Sequence, residues 1–196
     1  MLQACLNGRR TTAFHPAVPL SPDELARDAR AVAAAGADQL HIHPRGANGR
    51  ESLDSAVIAA ALDAVRAAAP GVPVGVSTGW WIGPGGLARQ DAIRDWRIRP
   101  DYVSVNLNEA DAPDIIRLAN GMGIGVEAGL WTATDAERFV GLPEAPRCLR
   151  ALIEIQEQEI SAALRVTDDI LGRLAGAGLA LPVLLHGADA MMWPLY

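Results

Sequence analysis

Apolar residues recur along this chain at two alternating periods: short Val/Ile/Leu runs with a strand-like spacing, and longer Ala-rich runs with a helix-like spacing. The short runs predict strands over residues 2–6, 39–43, 72–77, 102–107, 124–127, 148–155 and 181–185. Between them, helical spacing predicts helices over residues 53–69, 112–120 and 159–174, one ending near Trp96 and one following Thr132. Ser21-Pro22-Asp23-Glu24 reads as a further helix start, with Ser21 at the N-cap, Pro22 at the first helical position and Glu24 closing a capping box. Leu25, Ala29, Val32 and Ala33 supply that helix with its apolar stripe, and Gly36 ends it.

Strands alternating with helices over short connections define an α/β protein with a parallel sheet. Seven such repeats fit a TIM (β/α)8-type barrel better than an open doubly wound sheet. An eight-fold barrel needs one further strand to close. The expectation is therefore a single domain over residues 1–196, a barrel lacking its last β/α unit, whether C-terminally incomplete, a shorter natural variant or closed by a partner chain.

The 196 residues and 20.7 kDa fit one domain with a sizeable core. No apolar run approaches the length of about 18 residues that suggests a membrane span. No charged segment followed by an apolar one marks a signal peptide. A net charge of −6 argues against nucleic acid as a bulk electrostatic partner. Cys5 and Cys148 are too few and too far apart for a disulfide framework or a thiolate zinc site. Cys5 is expected as a buried thiol in the first strand, and a cytoplasmic location follows. All 17 basic residues are arginine. The chain therefore supplies no lysine for a Schiff base, and carbonyl chemistry here calls for a metal or a hydrogen-bonded oxyanion site.

In a parallel barrel, chemistry sits at the C-terminal ends of the strands. Those ends carry Asn7, His41 and His43, Ser77, Asn106, Glu127, Glu154 and His186, and barrel geometry predicts that they converge on one mouth. His41-Ile42-His43 is the sharpest element, because residues two apart on a strand face the same way. Two imidazoles on one strand face form a half-site for a divalent metal, with a pair of merely hydrogen-bonded histidines as the alternative. Ser77 offers a hydroxyl to a carboxylate or carbonyl, or else closes a local turn. Asn106 is read as a donor to an enolate or carbonyl, or as a strand-end turn. Glu127 is read as a base, a metal ligand or a carboxylate that orients a histidine, against a salt bridge to Arg45. Arg45 itself is placed to clamp a substrate carboxylate in bidentate fashion. His15, Trp80 and Trp81 lie on loops able to cover the mouth, and packing is the favoured role for the tryptophans. Residues 154–159 read as a solvated acidic turn.

The ordered set Leu6-Asn7-Gly8, Thr11-Thr12, His15-Pro16, Pro19-Leu20-Ser21-Pro22-Asp23-Glu24, Ala35-Gly36-Ala37, His41-Ile42-His43-Pro44-Arg45, Ser77-Thr78-Gly79, Ser104-Val105-Asn106-Leu107 and Val126-Glu127-Ala128-Gly129 resembles the β-keto acid cleavage enzymes. The resemblance runs over nearly the whole chain. It implies a TIM-barrel zinc enzyme that condenses a β-keto acid with acetyl-CoA and splits out acetoacetate, leaving the rest of the substrate as a CoA thioester. It also implies zinc held by His41 and His43, with the Ser77 region and Asn106 holding the keto acid. Acetyl-CoA is then a co-substrate, the partner is a small-molecule β-keto acid, and a homo-oligomer is expected.

Two departures follow. Arg10 stands where members of the family often carry Glu, which favours a neutral or acidic keto acid over an amino-substituted one. The family's third zinc ligand, a Glu in a Gly-x-Glu-Asp stretch, and the catalytic Asp beside it do not occur in this sequence. Two other readings compete. One is an amidohydrolase-like metallohydrolase, weakened because its His-x-His normally lies on the first strand and often works with a lysine. The other is a non-catalytic barrel that binds acyl ligands or a partner subunit.

Overall fold

Local signals decide where the helices begin. In the computed structural model, which describes residues 1–83 and 85–196, Ser21 caps α1 (Pro22–Ala34) as the sequence predicts. Its Oγ accepts from Glu24 N at 3.3 Å, and Glu24 Oε2 accepts in return from Ser21 N at 2.9 Å. Leu20 N donates to the same carboxylate at 2.9 Å. These contacts hold the Glu24 carboxyl below the usual carboxylate range. Pro84 lies outside the described residues.

Backbone contacts divide the chain into two units, Met1–Val103 and Ser104–Tyr196. Strands and helices alternate in both, and within each unit the strands are hydrogen-bonded in chain order. The α/β class and the parallel β/α repeat expected of a barrel are therefore present, with seven strands and six α-helices among the described residues.

In the first unit, β1 (Gln3–Cys5), β2 (Gln39–Ile42) and β3 (Val74–Ser77) pair in parallel. Between and after them come α1, α2 (Ser55–Ala68) and α3 (Leu87–Arg94). Register sets Cys5 beside His41 and His41 beside Gly75, while Ala4, Leu40 and Val74 form the alternate row. Leu40, Ile42, Val74 and Val76 are fully buried, as are Leu25 and Ala29 of α1 and Ile58, Leu62 and Val65 of α2. Each such Leu or Ile contributes roughly 1.5–3 kcal/mol of transfer free energy, so this row anchors the sheet to its helices. Cys5 corrects an expectation: it is exposed, in the His41 row of β1, which stands at the end of the strand order next to β2.

Tyr102, at the start of β4 (Tyr102–Asn106), locks the three strands together. Its hydroxyl donates to Leu40 O at 2.6 Å and accepts from Gln3 Nε2 at 3.0 Å. The ring occupies the place of a side chain at position 75, where a Cβ would lie 1.9 Å from Tyr102 Cε2.

The second unit holds α4 (Ala112–Gly121), β5 (Gly125–Leu130), α5 (Ala133–Val140), β6 (Arg150–Ile155), α6 (Ile160–Gly176) and β7 (Val183–Gly187). Strands β5, β6 and β7 pair in parallel. Thr132 and Asp135 form a reciprocal capping box at the start of α5. Two strands run past their expected ends. β5 continues past Glu127 to Leu130, because Gly129 leaves room for Asn106: a Cβ at 129 would meet Asn106 Oδ1 at 2.5 Å. Leu107 N also donates to Gly129 O at 2.9 Å. β7 starts only after Pro182, whose nitrogen has no hydrogen to donate, and at its other end takes in His186 and Gly187, in register with Glu154 and Ile155.

Packing at two glycines gives opposite expectations. Gly75→Ala drives a methyl into the Tyr102 ring and lowers stability by about 1–3 kcal/mol. Gly172→Ala, within α6 and with nothing within 4 Å of the added Cβ, raises it by about 0.5–1 kcal/mol. Urea denaturation of the two variants checks both signs.

Candidate active site

β2 presents His41 and, one residue past its end, His43 on the face opposite Leu40 and Ile42. The two rings meet edge to face, with centroids 5.2 Å apart and planes at 73°. Both residues are buried, at 7% and 8% exposure. By the same alternation Ser77 shares the row of Gly75, which pairs with His41. Asn7 fixes the strand end: its Nδ2 donates to His43 O at 2.9 Å and to Pro19 O at 3.1 Å, and its Oδ1 accepts from His43 N at 2.9 Å. The side-chain amide thus does for His43 what a neighbouring strand would do.

A carboxylate absent from the expected set completes this group. The chain turns back through Gly46-Ala47-Asn48-Gly49, with Gly49 at φ +74°, and Arg45 bridges Glu51 in antiparallel fashion. Gly46 N donates to Arg50 O at 2.9 Å and Ser52 N to Pro44 O at 3.0 Å. This small hairpin brings Glu51 Oε1 onto His43 Nδ1, while Glu51 Oε2 accepts from Trp81 Nε1 at 3.1 Å. Burial pushes the Glu51 carboxyl up. The His43 hydrogen bond and charge, with Arg45 and Trp81, outweigh it and hold the group below the usual carboxylate range.

With Nδ1–H directed at Glu51, the Nε2 lone pair of His43 is left for a ligand, the arrangement common to metal-binding histidines. Two imidazoles on one strand face with an oriented ring fit a zinc ion as half of its donor set. Among the described residues, no group of three or more His, Cys, Asp and Glu side chains is placed to hold a metal ion.

Arg45 is not the free clamp expected. Its Nη2 donates to Gly8 O at 2.9 Å and Arg10 O at 2.8 Å, and its Nη1 to Gly49 O at 3.1 Å. These bonds tie the segment after β1 to the hairpin. Arg10, at the position that departs from the family pattern, stacks its guanidinium 3.8 Å from the Phe14 ring. Ser77 is 3% exposed, and its Oγ accepts from Gly79 N at 3.4 Å.

In the second unit, Glu127 lies inside β5 rather than at its end, in register with Arg150. The two form an ion pair at 3.0 Å with side chains 0% and 3% exposed, so this carboxylate pairs with Arg150. Asn106 donates through Nδ2 to Glu109 Oε1 at 3.2 Å. Glu154 accepts from Trp131 Nε1 at 2.7 Å, and its other oxygen lies 3.7 Å from His186 Nε2. Partial burial opposes charge on His186, but Glu154, the Gly187 carbonyl and Glu127 together raise its pKa above the ordinary histidine value. Cys148 is buried, and that burial with nearby Glu144 pushes its thiol up to about 12, leaving no thiolate at neutral pH.

Comparison with known proteins places these residues in context. A family model described as beta-keto acid cleavage enzyme matches residues 1–167. A 3-keto-5-aminohexanoate cleavage enzyme of Fusobacterium nucleatum subsp. nucleatum is 33% identical over 107 residues, covering 54% of this chain and 38% of that protein. The match thus spans well under half the length of this curated relative. Among solved structures, a mandelate racemase/muconate lactonizing enzyme from Roseiflexus sp. aligns with a TM-score of 0.56 at 18% identity, covering 95% of this chain and 47% of that one. The 3-dehydroquinate dehydratase of Aquifex aeolicus VF5 aligns with a TM-score of 0.55 at 12% identity, covering 97% of this chain and 92% of that one. At such identities the likeness speaks to fold alone.

Two outcomes follow from the charges of the second unit. Arg150→Met removes the cation beside the buried Glu127 carboxylate and costs roughly 3–5 kcal/mol, while Glu127→Gln/Arg150→Met loses markedly less; urea denaturation measures both. His186 is expected to titrate above the unfolded value of about 6.5, read from its ring protons by NMR, and Glu154→Gln lowers that midpoint. Because the folded value is the higher one, the stability this pair adds is complete below the unfolded pKa and disappears as pH rises through the folded one.

Proposed function

The chain belongs to the β-keto acid cleavage enzyme family, and from that premise we propose that it cleaves a β-keto acid at a divalent metal, zinc, held by His41 and His43. The reading is carried by one observation: two buried imidazoles on one face of β2, one of them oriented through Nδ1 by Glu51. Zinc, when bound, supplies Lewis-acid polarisation of the substrate's β-carbonyl. No lysine is present to do so through a Schiff base.

The chain's own residues bind and orient. His41 and His43 hold the ion, and Glu51 sets the His43 ring. Ser77, buried on the same face, offers its hydroxyl to the keto acid. Arg45 acts indirectly, by fixing the backbone at Gly8, Arg10 and Gly49. The family resemblance gives Asn106 a part in holding the substrate. Glu127, neutralised by Arg150 in the interior of β5, is better suited to fixing the strand than to accepting a substrate proton.

The proposed reaction breaks the carbon–carbon bond between the β-carbonyl carbon and the adjacent methylene. The acyl part passes to the CoA of acetyl-CoA, and the acetyl group joins the released two-carbon carboxylate as acetoacetate. Arg10, where the family often has an acidic residue, favours a neutral or acidic side group on the keto acid over an ammonium.

Elemental analysis of the purified protein is expected to find about one zinc per chain, lost in His41→Ala/His43→Ala. Incubation with acetyl-CoA and a panel of neutral and acidic β-keto acids is expected to release acetoacetate. A folded wild-type protein that takes up no divalent metal sinks this reading.

A further inference from the structure

Glu51 is used on both oxygens. Oε1 meets His43 Nδ1 and Oε2 accepts the single N–H of the Trp81 indole at 3.1 Å. The His43 and Glu51 side chains are 10% and 12% exposed, so little water competes for either contact. Trp81 is itself held from two sides. A Cβ on Gly79 would lie 2.3 Å from its ring carbons, and the Arg9 guanidinium sits 4.6 Å from the ring centroid. The Arg45–Glu51 bridge fixes the backbone that carries the carboxylate. A chain of contacts thus runs from the segment after β3, through an indole and a carboxylate, to one imidazole of the pair.

We propose that Glu51 is a positioning residue that keeps the His43 proton on Nδ1 and so presents Nε2 as the ligand atom, and that Trp81 couples the segment after β3 to the site through this carboxylate. The hydrogen bond made by one ring nitrogen decides which nitrogen is free to bind. A carboxylate pinned by a second donor cannot swing away, so the ring is held in rotation as well as in tautomer. The effect on metal affinity rests on the metal reading of His41 and His43, whereas the effect on the tautomer does not.

The test is 15N NMR of the histidine-labelled, metal-free protein at about pH 9, where histidines are neutral, together with zinc affinity from competition with a chromophoric chelator. Wild type is expected to show His43 protonated on Nδ1 and bare on Nε2. Glu51→Ala moves the ring toward the Nε2–H form and weakens zinc binding roughly 10–100-fold. Glu51→Gln, which keeps an acceptor for Nδ1–H, retains the tautomer and recovers much of the affinity. Trp81→Phe keeps an aromatic ring but no donor, and weakens zinc severalfold. Should Glu51→Ala fail to fold, as judged by circular dichroism, the Gln and Phe variants carry the comparison. A folded Glu51→Ala with the wild-type tautomer and unchanged zinc affinity overturns the proposal, as does an Nε2–H ring in wild type. Wild type that binds no zinc but shows the tautomer shift overturns the metal reading and leaves the role of Glu51 on His43 standing.

Discussion

The two-residue period of the parallel strands is the constraint on which the rest depends. In β2 it sends Leu40 and Ile42 into the apolar interior and His41, with His43 beyond it, to the opposite face. A register slip of one residue would put both imidazoles among aliphatic side chains and the leucine and isoleucine on the polar face. The hydrophobic row formed with Val74 and Val76 therefore holds the histidines in place as firmly as any contact they make themselves. Fold stability and site geometry are two consequences of one alternation.

Buried charge is handled by a recurring local solution, in which three carboxylates each meet a cation, an indole N–H or both. Glu51 has His43 and the Trp81 indole; Glu154 has the Trp131 indole and lies near His186; Glu127 has Arg150. The physical reason is the cost of taking a charge out of water, which only matched partners offset. The outcomes differ with geometry. The Glu127–Arg150 pair lies in register across two strands and is sealed from solvent, which makes it a fixture of the sheet. The Glu51 group sits at a strand end and leaves one imidazole nitrogen unused by the carboxylate, which makes it fit for ligand binding.

Much of this was legible in the chain of letters. The Ser21-Pro22-Asp23-Glu24 cap, the order of strands and helices and the shared facing of His41 and His43 follow from short-range rules that act over a few residues. Strand ends were less legible. β5, expected to end at Glu127, runs on to Leu130, because the missing side chain of Gly129 makes room for Asn106. Cys5 looked like a core thiol in an apolar strand, whereas it is exposed on β1 at the end of the strand order.

The sequence by itself determined the α/β class, the parallel repeat and the pair of histidines on one face, since periodicity and capping are local and need no distant partner. Tertiary structure alone decided the partners of the charged groups. Arg45 reads as a clamp until the fold brings one carbonyl of the hairpin, Gly49 O, and two of the segment after β1, Gly8 O and Arg10 O, to its guanidinium. Glu51 carries no motif, and its meeting with His43 and Trp81 depends on a chain reversal and on a segment thirty residues away. Spacing along a chain ranks which residues share a face; it does not say which charge ends beside which, because that depends on how loops between the strands fold back.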